Sequence, residues 1–352
     1  KGFDQEQLYS TASYKNKNLT GIKFGHNYMV GFDFTGQNMT NVSFWGAELN
    51  NVDFTNANLT NVNFKNADIN DADFDNAIIE GAYLSDITTK QLYRTASYKE
   101  KNLKGVTFSA YLDGADFTGQ NLMNANFVSL TLTDADFTKA DLRGGTMKSN
   151  YVITKNTIMG DGRIKDFSMV SSDDSFSIRK YTPAAEGGEM ISAKISEAAA
   201  ISGGAALTLE NGAELEVLNA ADLTVENGSS IIINTDADSS TSFKVNSGGG
   251  LAFENGAILE INVVSDLSAQ DILQIEIMEF AENASIAGLD ALVKGETILL
   301  NVNGSEWLGE WDYALENNQM IITVSVPEPA VCAAAIGALA LGLALKFRNY
   351  KN

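Results

Sequence analysis

Residues 42–84 read VSFWGAELNNVDFTNANLTNVNFKNADINDADFDNAIIEGAYL, and in them a large apolar residue returns at every fifth position: Phe44, Leu49, Phe54, Leu59, Phe64, Ile69, Phe74, Ile79 and Leu84. A helix repeats near 3.6 residues and a strand at 2, so neither fits this period. Two positions ahead of each large residue stands a small or slender one, as at Val42, Ala47, Val52, Ala57 and Val62. Two positions behind stands Gly, Asn or Asp, as at Gly46, Asn51, Asn56, Asn61 and Asp71. These residue types accept the backbone of a turn. A chain that buries one large and one small side chain and then turns, every five residues, closes a square coil in about twenty residues, and such coils stack at roughly 4.8 Å.

Working outward, the count runs unbroken from Leu19 through Phe24, Met29, Phe34 and Met39 into the quoted stretch. Residues twenty apart should then share a face. Phe24, Phe44 and Phe64 form one ladder and Phe34, Phe54 and Phe74 the opposite one, with Met39, Leu59, Ile79 and Met29, Leu49, Ile69 on the remaining two. The pattern resembles the pentapeptide-repeat family, which implies a right-handed quadrilateral β-helix. Burying each ladder side chain is worth about 1.5 to 3 kcal/mol, enough in sum to hold a narrow solenoid without disulfides.

Two nearly identical segments head two blocks of repeats: QLYSTASYKNKNLTGIKF at 7–24 and QLYRTASYKEKNLKGVTF at 91–108. Internal duplication is the simplest cause. Asp4 with Gln7, and Thr88 with Gln91, are helix-start signals, and Leu8 with Ala12, like Leu92 with Ala96, fall four apart on one helical face. Each segment therefore reads as a short helix leading into a coil, a plug over an open solenoid end in preference to a docking element. The second block resumes at Leu103 and Phe108, slips by one residue around Leu112, and recovers through Phe117, Leu122, Phe127, Leu132, Phe137, Leu142 and Met147. The slip predicts a bulge or corner loop. Asp116, Asp136 and Asp141 precede large residues and should point outward, as solvated groups rather than cation ligands.

After residue 150 the rhythm stops. LTLENGAELEV from Leu207, LTVENGSSIII from Leu223 and LAFENGAILEI from Leu251 each give an alternating strand, Asn-Gly and another alternating strand. Taken singly these are β-hairpins. As a series they are rungs of a second, irregular β-solenoid with Glu-Asn-Gly at the corners, the preferred reading, and they resemble the passenger regions of autotransporters. A helix is expected at 268–273 and a closing hairpin in WDYALENNQMIITV from Trp311.

Val326, Pro327, Glu328 and Pro329 precede an uninterrupted apolar run at 330–345, followed by Lys346, Arg348 and Lys351. Sixteen to eighteen residues at 1.5 Å each would reach about 24 to 27 Å, a short bilayer span, with the basic end favouring a cytoplasmic C-terminus. The order of parts resembles the PEP-CTERM sorting signal, which implies recognition by an exosortase, export, cleavage near Pro327 to Pro329, and delivery to the surface or extracellular matrix of a Gram-negative bacterium. An ordinary single-pass anchor is the alternative. The opening at Lys1 rather than Met leads to the expectation that a targeting segment has been removed or that the chain is a piece of a longer one.

The expected fold is thus all-β: a right-handed quadrilateral β-helix with short capping or inserted helices, then a second irregular β-solenoid or β-hairpin domain, then a C-terminal transmembrane helix. The divisions are 1–18 (capping helix), 19–87 (first repeat block), 88–102 (inserted or capping helix), 103–150 (second block), 151–325 (β-rich domain) and 326–352 (sorting signal).

The net charge of −21 is unevenly spread: 1–150 carry −4, 151–330 carry −20 and 331–352 carry +3. Acidity belongs to the second half, which argues against nucleic acid as a partner. Cys332 has no disulfide partner, and its place at the start of the apolar run would suit acylation less than chance. His26, the one histidine, lacks partners for a triad or a zinc site. TDADSS around Asp236 and Asp238 and GDGRIKD around Asp161 lack calcium-loop spacing. No catalytic, cofactor or metal residue is therefore assigned. The leading expectation is a non-enzymatic surface or matrix protein, structural or adhesive, with a polysaccharide as possible partner. The alternatives are a polysaccharide-active parallel β-helix enzyme and, as the repeat resemblance implies for some members, a DNA mimic that protects topoisomerase.

Overall fold

The computed structural model describes residues 4–128, 131–147, 152–236, 241–264, 272–281, 284–287, 298–302, 305–306, 311–316 and 319–325. They fall in two compact units: Lys1–Ser168 with Tyr181–Ile195, and Met169–Lys180 with Ser196–Asn352.

In the first unit the five-residue step is a turn. The Val52 N–H donates to the Leu49 carbonyl, the Ala57 N–H to that of Phe54 and the Ala72 N–H to that of Ile69. The residue before each of these donors takes positive φ, 58° at Asn51, 59° at Asn56 and 55° at Asp71, where Asn, Asp and Gly cost least. Between turns the chain makes short parallel bridges: Asn38 lies beside Asn58 and then Ile78, Ser43 beside Asn63 and then Tyr83. The core is filled by the ladders. Phe44 stacks on Phe64 at 5.4 Å and Phe54 on Phe74 at 5.3 Å, while the two columns meet edge to face at 5.5 Å between Phe54 and Phe64. These rings are fully buried, and such offset and T-shaped pairs add about 0.5 to 1.5 kcal/mol each beyond area burial.

Where the residue preceding a large one is Asp or Asn, it has a local role that the fivefold pattern did not disclose. Asp53 accepts from the Thr55 N–H (2.8 Å), Asn63 from Lys65 (2.9 Å), Asp116 from Thr118 (2.7 Å) and Asp136 from Thr138 (2.8 Å). These are Asx turns, in which a short polar side chain satisfies the N–H two residues on.

Each duplicated segment forms two helices rather than one: α1 (Gln5–Ser10) and α2 (Ala12–Lys15), then α3 (Thr89–Arg94) and α4 (Ala96–Lys99). Capping boxes start α1 and α3. Thr11 and Thr95 are extended, end the first helix of each pair, and cap the second by accepting from Tyr14 and Tyr98 N–H. Leu8 and Ala12 consequently do not share one helical face; Leu8 is buried and Ala12 exposed.

The second pair is not a plug. Asn76 N–H donates to Arg94 O and Ala96 N–H to Ala77 O, both at 2.9 Å. Beyond the pair, Tyr83–Ser85 lies parallel to Thr107–Ser109, which pairs in turn with Asn126–Phe127. Stacking thus runs through from one block to the next, with α3 and α4 replacing part of a coil. The slip is a deletion. Asn102 pairs with Asn121 and Phe108 with Phe127, one residue fewer than separates Asp116 from Asp136.

The second unit is a three-sided coil. One parallel sheet contains Ser175–Ile178, Ala206–Leu209, Ser230–Asp236, Ile258–Val264 and Ile298–Val302. Another contains Ala199–Ile201, Asp222–Val225, Gly250–Phe253 and Ser285–Ala287. A third runs Glu214–Val217, Ser242–Val245 and Ile272–Phe280, then continues antiparallel through Gln319–Ser325 and Trp311–Glu316, a closing hairpin. Leu207, Ile231 and Leu259 stack inward, fully buried, and Asn234, Asn262 and Asn301 form a hydrogen-bonded ladder on the outside at 2.9 and 2.8 Å.

The hairpin reading of the three Asn-Gly motifs gives way here. Only the glycines take positive φ, 72° at Gly212, 75° at Gly228 and 87° at Gly256. A tight I′ hairpin needs positive φ at both central residues; one at the third place is the type II pattern. The turn sends the chain round a corner to another sheet. At 268–273 the expected helix is corrected at its end: Ile272 and Leu273 begin a strand, and the remainder of that span lies outside the described residues.

Candidate functional site

The sorting-signal residues Val326, Pro327, Glu328, Pro329, Lys346, Arg348 and Lys351, together with Cys332, lie outside the described residues. Among the described residues no helix is long and apolar enough to cross a membrane. Nor do three His, Cys, Asp or Glu side chains gather there where a metal ion could be held. His26 occupies a corner at φ 57°, exposed, its ring 4.7 Å from that of Trp45 in an edge arrangement.

Asp116 and Asp136 take the partly exposed positions expected of them, but Asp141 does not. It is 2% exposed and bound in fork fashion by Arg143, 0% exposed, with Nε–Oδ1 at 3.0 Å and Nη2–Oδ2 at 2.7 Å. The outward direction is right and the solvent is absent, because residues 181–195 return over this side of the coil. Arg143 Nη1 donates to Ile191 O at 3.1 Å, and the guanidinium lies 5.5 Å from the Tyr181 ring centre. The Tyr181 hydroxyl donates to Asn124 Oδ1 (3.0 Å), and Asn124 Nδ2 to Thr182 O (2.9 Å). Burial raises the Tyr181 pKa, so the phenol stays a donor. Every strong group in this cluster is matched. Its chemistry is that of a clasp.

The helix pairs form the other polar constellation. Tyr9 Oη accepts from the Asp33 N–H at 2.6 Å, while Tyr14 Oη donates to Asp33 O at 2.8 Å. Tyr93 and Tyr98 treat Asp116 the same way, at 2.7 Å each. The two phenols thus stand in for a neighbouring strand. Burial, with the Asp33 carboxylate and Tyr9 adding to it, pushes the Tyr14 pKa up to about 12. Burial likewise raises that of Tyr98.

What differs between the copies is the far side. Beside α1 and α2 is an open depression of about 420 Å³ lined by Leu8, Thr11, Ser13, Leu19, Ile22 and Lys23. Thr11 and Ser13 are exposed, whereas their duplicates Thr95 and Ser97 are buried. Only the duplication, visible in the sequence, could have pointed to this inequivalence.

A chain with this geometry is a mostly-β repeat protein, and comparison with known proteins identifies the repeat. Residues 18–56, 47–86 and 110–148 match the family model described as pentapeptide repeats (8 copies). Among solved structures, the chain is similar to HetL, a pentapeptide repeat protein involved in heterocyst differentiation regulation from the cyanobacterium Nostoc sp., at 15% identity over 73% of this chain and 92% of that one. The TM-score is 0.19. No curated protein matches the sequence.

Proposed function

We propose that the protein is a non-enzymatic structural or adhesive scaffold of the bacterial surface or extracellular matrix, delivered by exosortase processing of residues 326–352. The observation that carries this reading is the order Val326, Pro327, Glu328, Pro329, apolar run, and Lys346, Arg348 and Lys351 in the sequence. The two coils are compatible with it. Their interiors are filled by side chains such as Phe54 and Leu207, and their outer faces carry ladders of amide and carboxylate groups, Asn234–Asn262–Asn301 among them. Such a lattice suits spacing and weak multivalent contact with a polysaccharide better than chemistry on a bound substrate.

The test is the fate of the tail. In cells with an active exosortase, mass spectrometry of the recovered protein should find it ending near Pro327 to Pro329, and in exosortase-deficient cells the tail should persist. An intact tail in both would overturn the sorting. Incubation with matrix polysaccharide separates scaffold from enzyme, because a scaffold retains the polymer at full length and an enzyme shortens it.

A further inference from the structure

We propose that the flank of the first solenoid outside the Phe44 and Phe64 column binds an acidic polysaccharide with a carboxylate on alternate sugars, at a site built from Trp45, Lys65 and Tyr83. This rests on the matrix reading above and adds to it a binding face and a ligand class. The three residues come from successive coils, since Ser43 pairs with Asn63 and Asn63 with Tyr83 in parallel bridges. Each of those coils has another stacked on either side, Lys23 pairing with Ser43 and Tyr83 with Thr107. What they expose is therefore the flank of the stack, not an end of it. Trp45 is a large ring that the core does not use: it is 48% exposed, while the adjacent Phe44 is fully buried. The His26 ring meets it at 4.7 Å and 66°, and Gly25, in the coil beneath, sets no side chain beside it. Such an indole is a platform for the apolar C–H face of a sugar ring.

Two coils further along, the half-buried Tyr83 offers a second ring. Lys65 lies between, exposed, its ammonium 5.8 Å from the Tyr83 ring centre. Among the described residues no carboxylate is paired with it, whereas on other sides Lys99 meets Asp75 and Arg143 meets Asp141. Asn63 Oδ1 accepts from the Lys65 N–H at 2.9 Å, which leaves the Asn63 amide as a donor to a sugar hydroxyl. Charge selects the ligand. On the opposite side the residue ahead of each large one is Asp33, Asp53, Asp73 or Asp116; here the equivalent places hold Ser43, Asn63, Tyr83 and Thr107. An unpaired cation on a flank without carboxylates is complementary to an anion, and to a sparse one best. Glu80 stands beyond one corner, Asp86 and Glu48 at and beyond the other, so a polymer charged at every unit, nucleic acid included, is repelled where a single carboxylate at Lys65 is not. Spacing agrees. Trp45 and Tyr83 are two strand steps apart, about 9.5 Å along the stack, the length of two sugars in an extended chain. The two rings then take alternate sugars, and Lys65 takes the carboxylate of the sugar between.

The test uses the full chain and a fluorescent hyaluronan oligosaccharide, in which every second sugar is a uronate, read by anisotropy. Trp45→Ala should weaken binding about tenfold and Trp45→Phe much less, with both melting curves unchanged. Lys65→Ala should weaken it too and remove the preference for the native oligosaccharide over its carboxyl-reduced form, while Asp53→Asn on the opposite side should change nothing. Rising salt should weaken wild-type binding and leave that of Lys65→Ala nearly constant. No binding, binding that ignores Trp45→Ala, or equal affinity for the carboxyl-reduced form or for a DNA oligonucleotide would overturn the proposal. So would self-association of the chain that Trp45→Ala abolishes, which would make this flank an interface between copies. Failure here leaves tail processing standing, and an intact tail leaves the binding standing, so the two readings fall separately.

Discussion

At the residue scale, the informative positions are those where one side chain decides a local balance. Arg143 and Asp141 are both buried, so removing one partner leaves a charge without water or counter-charge; Arg143→Ala should cost about 3 to 5 kcal/mol, and Arg143→Met with Asp141→Leu considerably less. Chemical denaturation of the three proteins checks this. Phe64→Asp puts a carboxylate into the stacked core and should exceed about 5 kcal/mol, abolishing the cooperative melt of the first block. Ala220 runs the other way. It holds φ at 62° in a corner where Gly203 and Gly248 serve elsewhere. An alanine there is strained by about 1 to 2 kcal/mol, and glycine adds only about 0.4 to 1 kcal/mol of unfolded-state entropy, so Ala220→Gly should stabilise by roughly 0.5 to 1 kcal/mol in a thermal melt. The turn-forming Asn and Asp residues were legible in the sequence because positive φ selects them. Ala220 was not, since nothing about alanine signals a corner, and neither was the burial of Asp141, which depends on Tyr181 and Ile191 far along the chain.

At the scale of elements, the duplicated helix pairs show what local sequence signals settle and what they leave open. Capping residues placed the helix starts correctly. The break at Thr11 and Thr95 escaped, because a threonine inside an apparent fourfold pattern reads as tolerated until its hydroxyl is seen capping the next turn. The Asn-Gly motifs were ambiguous for a similar reason, type II corners and I′ hairpins drawing on the same residues. The α3–α4 pair is also tied to its upper coil by charge. Hydrogen bonds from Arg94, then Lys99, hold the Asp75 carboxyl below its ordinary pKa of 3.8. A depressed folded pKa means the contribution is present above the unfolded value and lost as pH falls through the folded one. Wild type should therefore melt above Asp75→Asn near neutral pH, and the two curves should converge as pH drops below roughly 4. The pair is exposed, so added salt should narrow the gap as well.

At the scale of the whole molecule, two coils differ in how much of their geometry a one-dimensional pattern carries. The four-sided coil was legible because each side has the same five residues, so period and architecture coincide. The three-sided coil was only partly so, because its strands range from three residues at Ala199–Ile201 to seven at Ser230–Asp236 and nine at Ile272–Phe280, and unequal sides blur any repeat. The equal-sided design makes a demand that can be tested by deletion. Removing 42–61 takes out one full coil and joins Asn41 to Val62, so Phe24 comes to lie over Phe64 and every aromatic and aliphatic column continues. Removing 52–56 alone shifts everything after it by one side, placing aliphatic residues beneath Phe34 and Phe44 and phenylalanines beneath Met39 and Leu49. Four lost ladder residues at about 1.5 to 3 kcal/mol each set the scale for the first deletion, offset by the conformational entropy of the twenty residues no longer ordered. The shorter deletion saves little entropy and leaves mismatched volumes on all four sides of the coil junction it creates. The twenty-residue deletion should therefore retain a cooperative melt, and the five-residue deletion should melt lower and more broadly by circular dichroism. The reverse order would mean that the columns do not set the register.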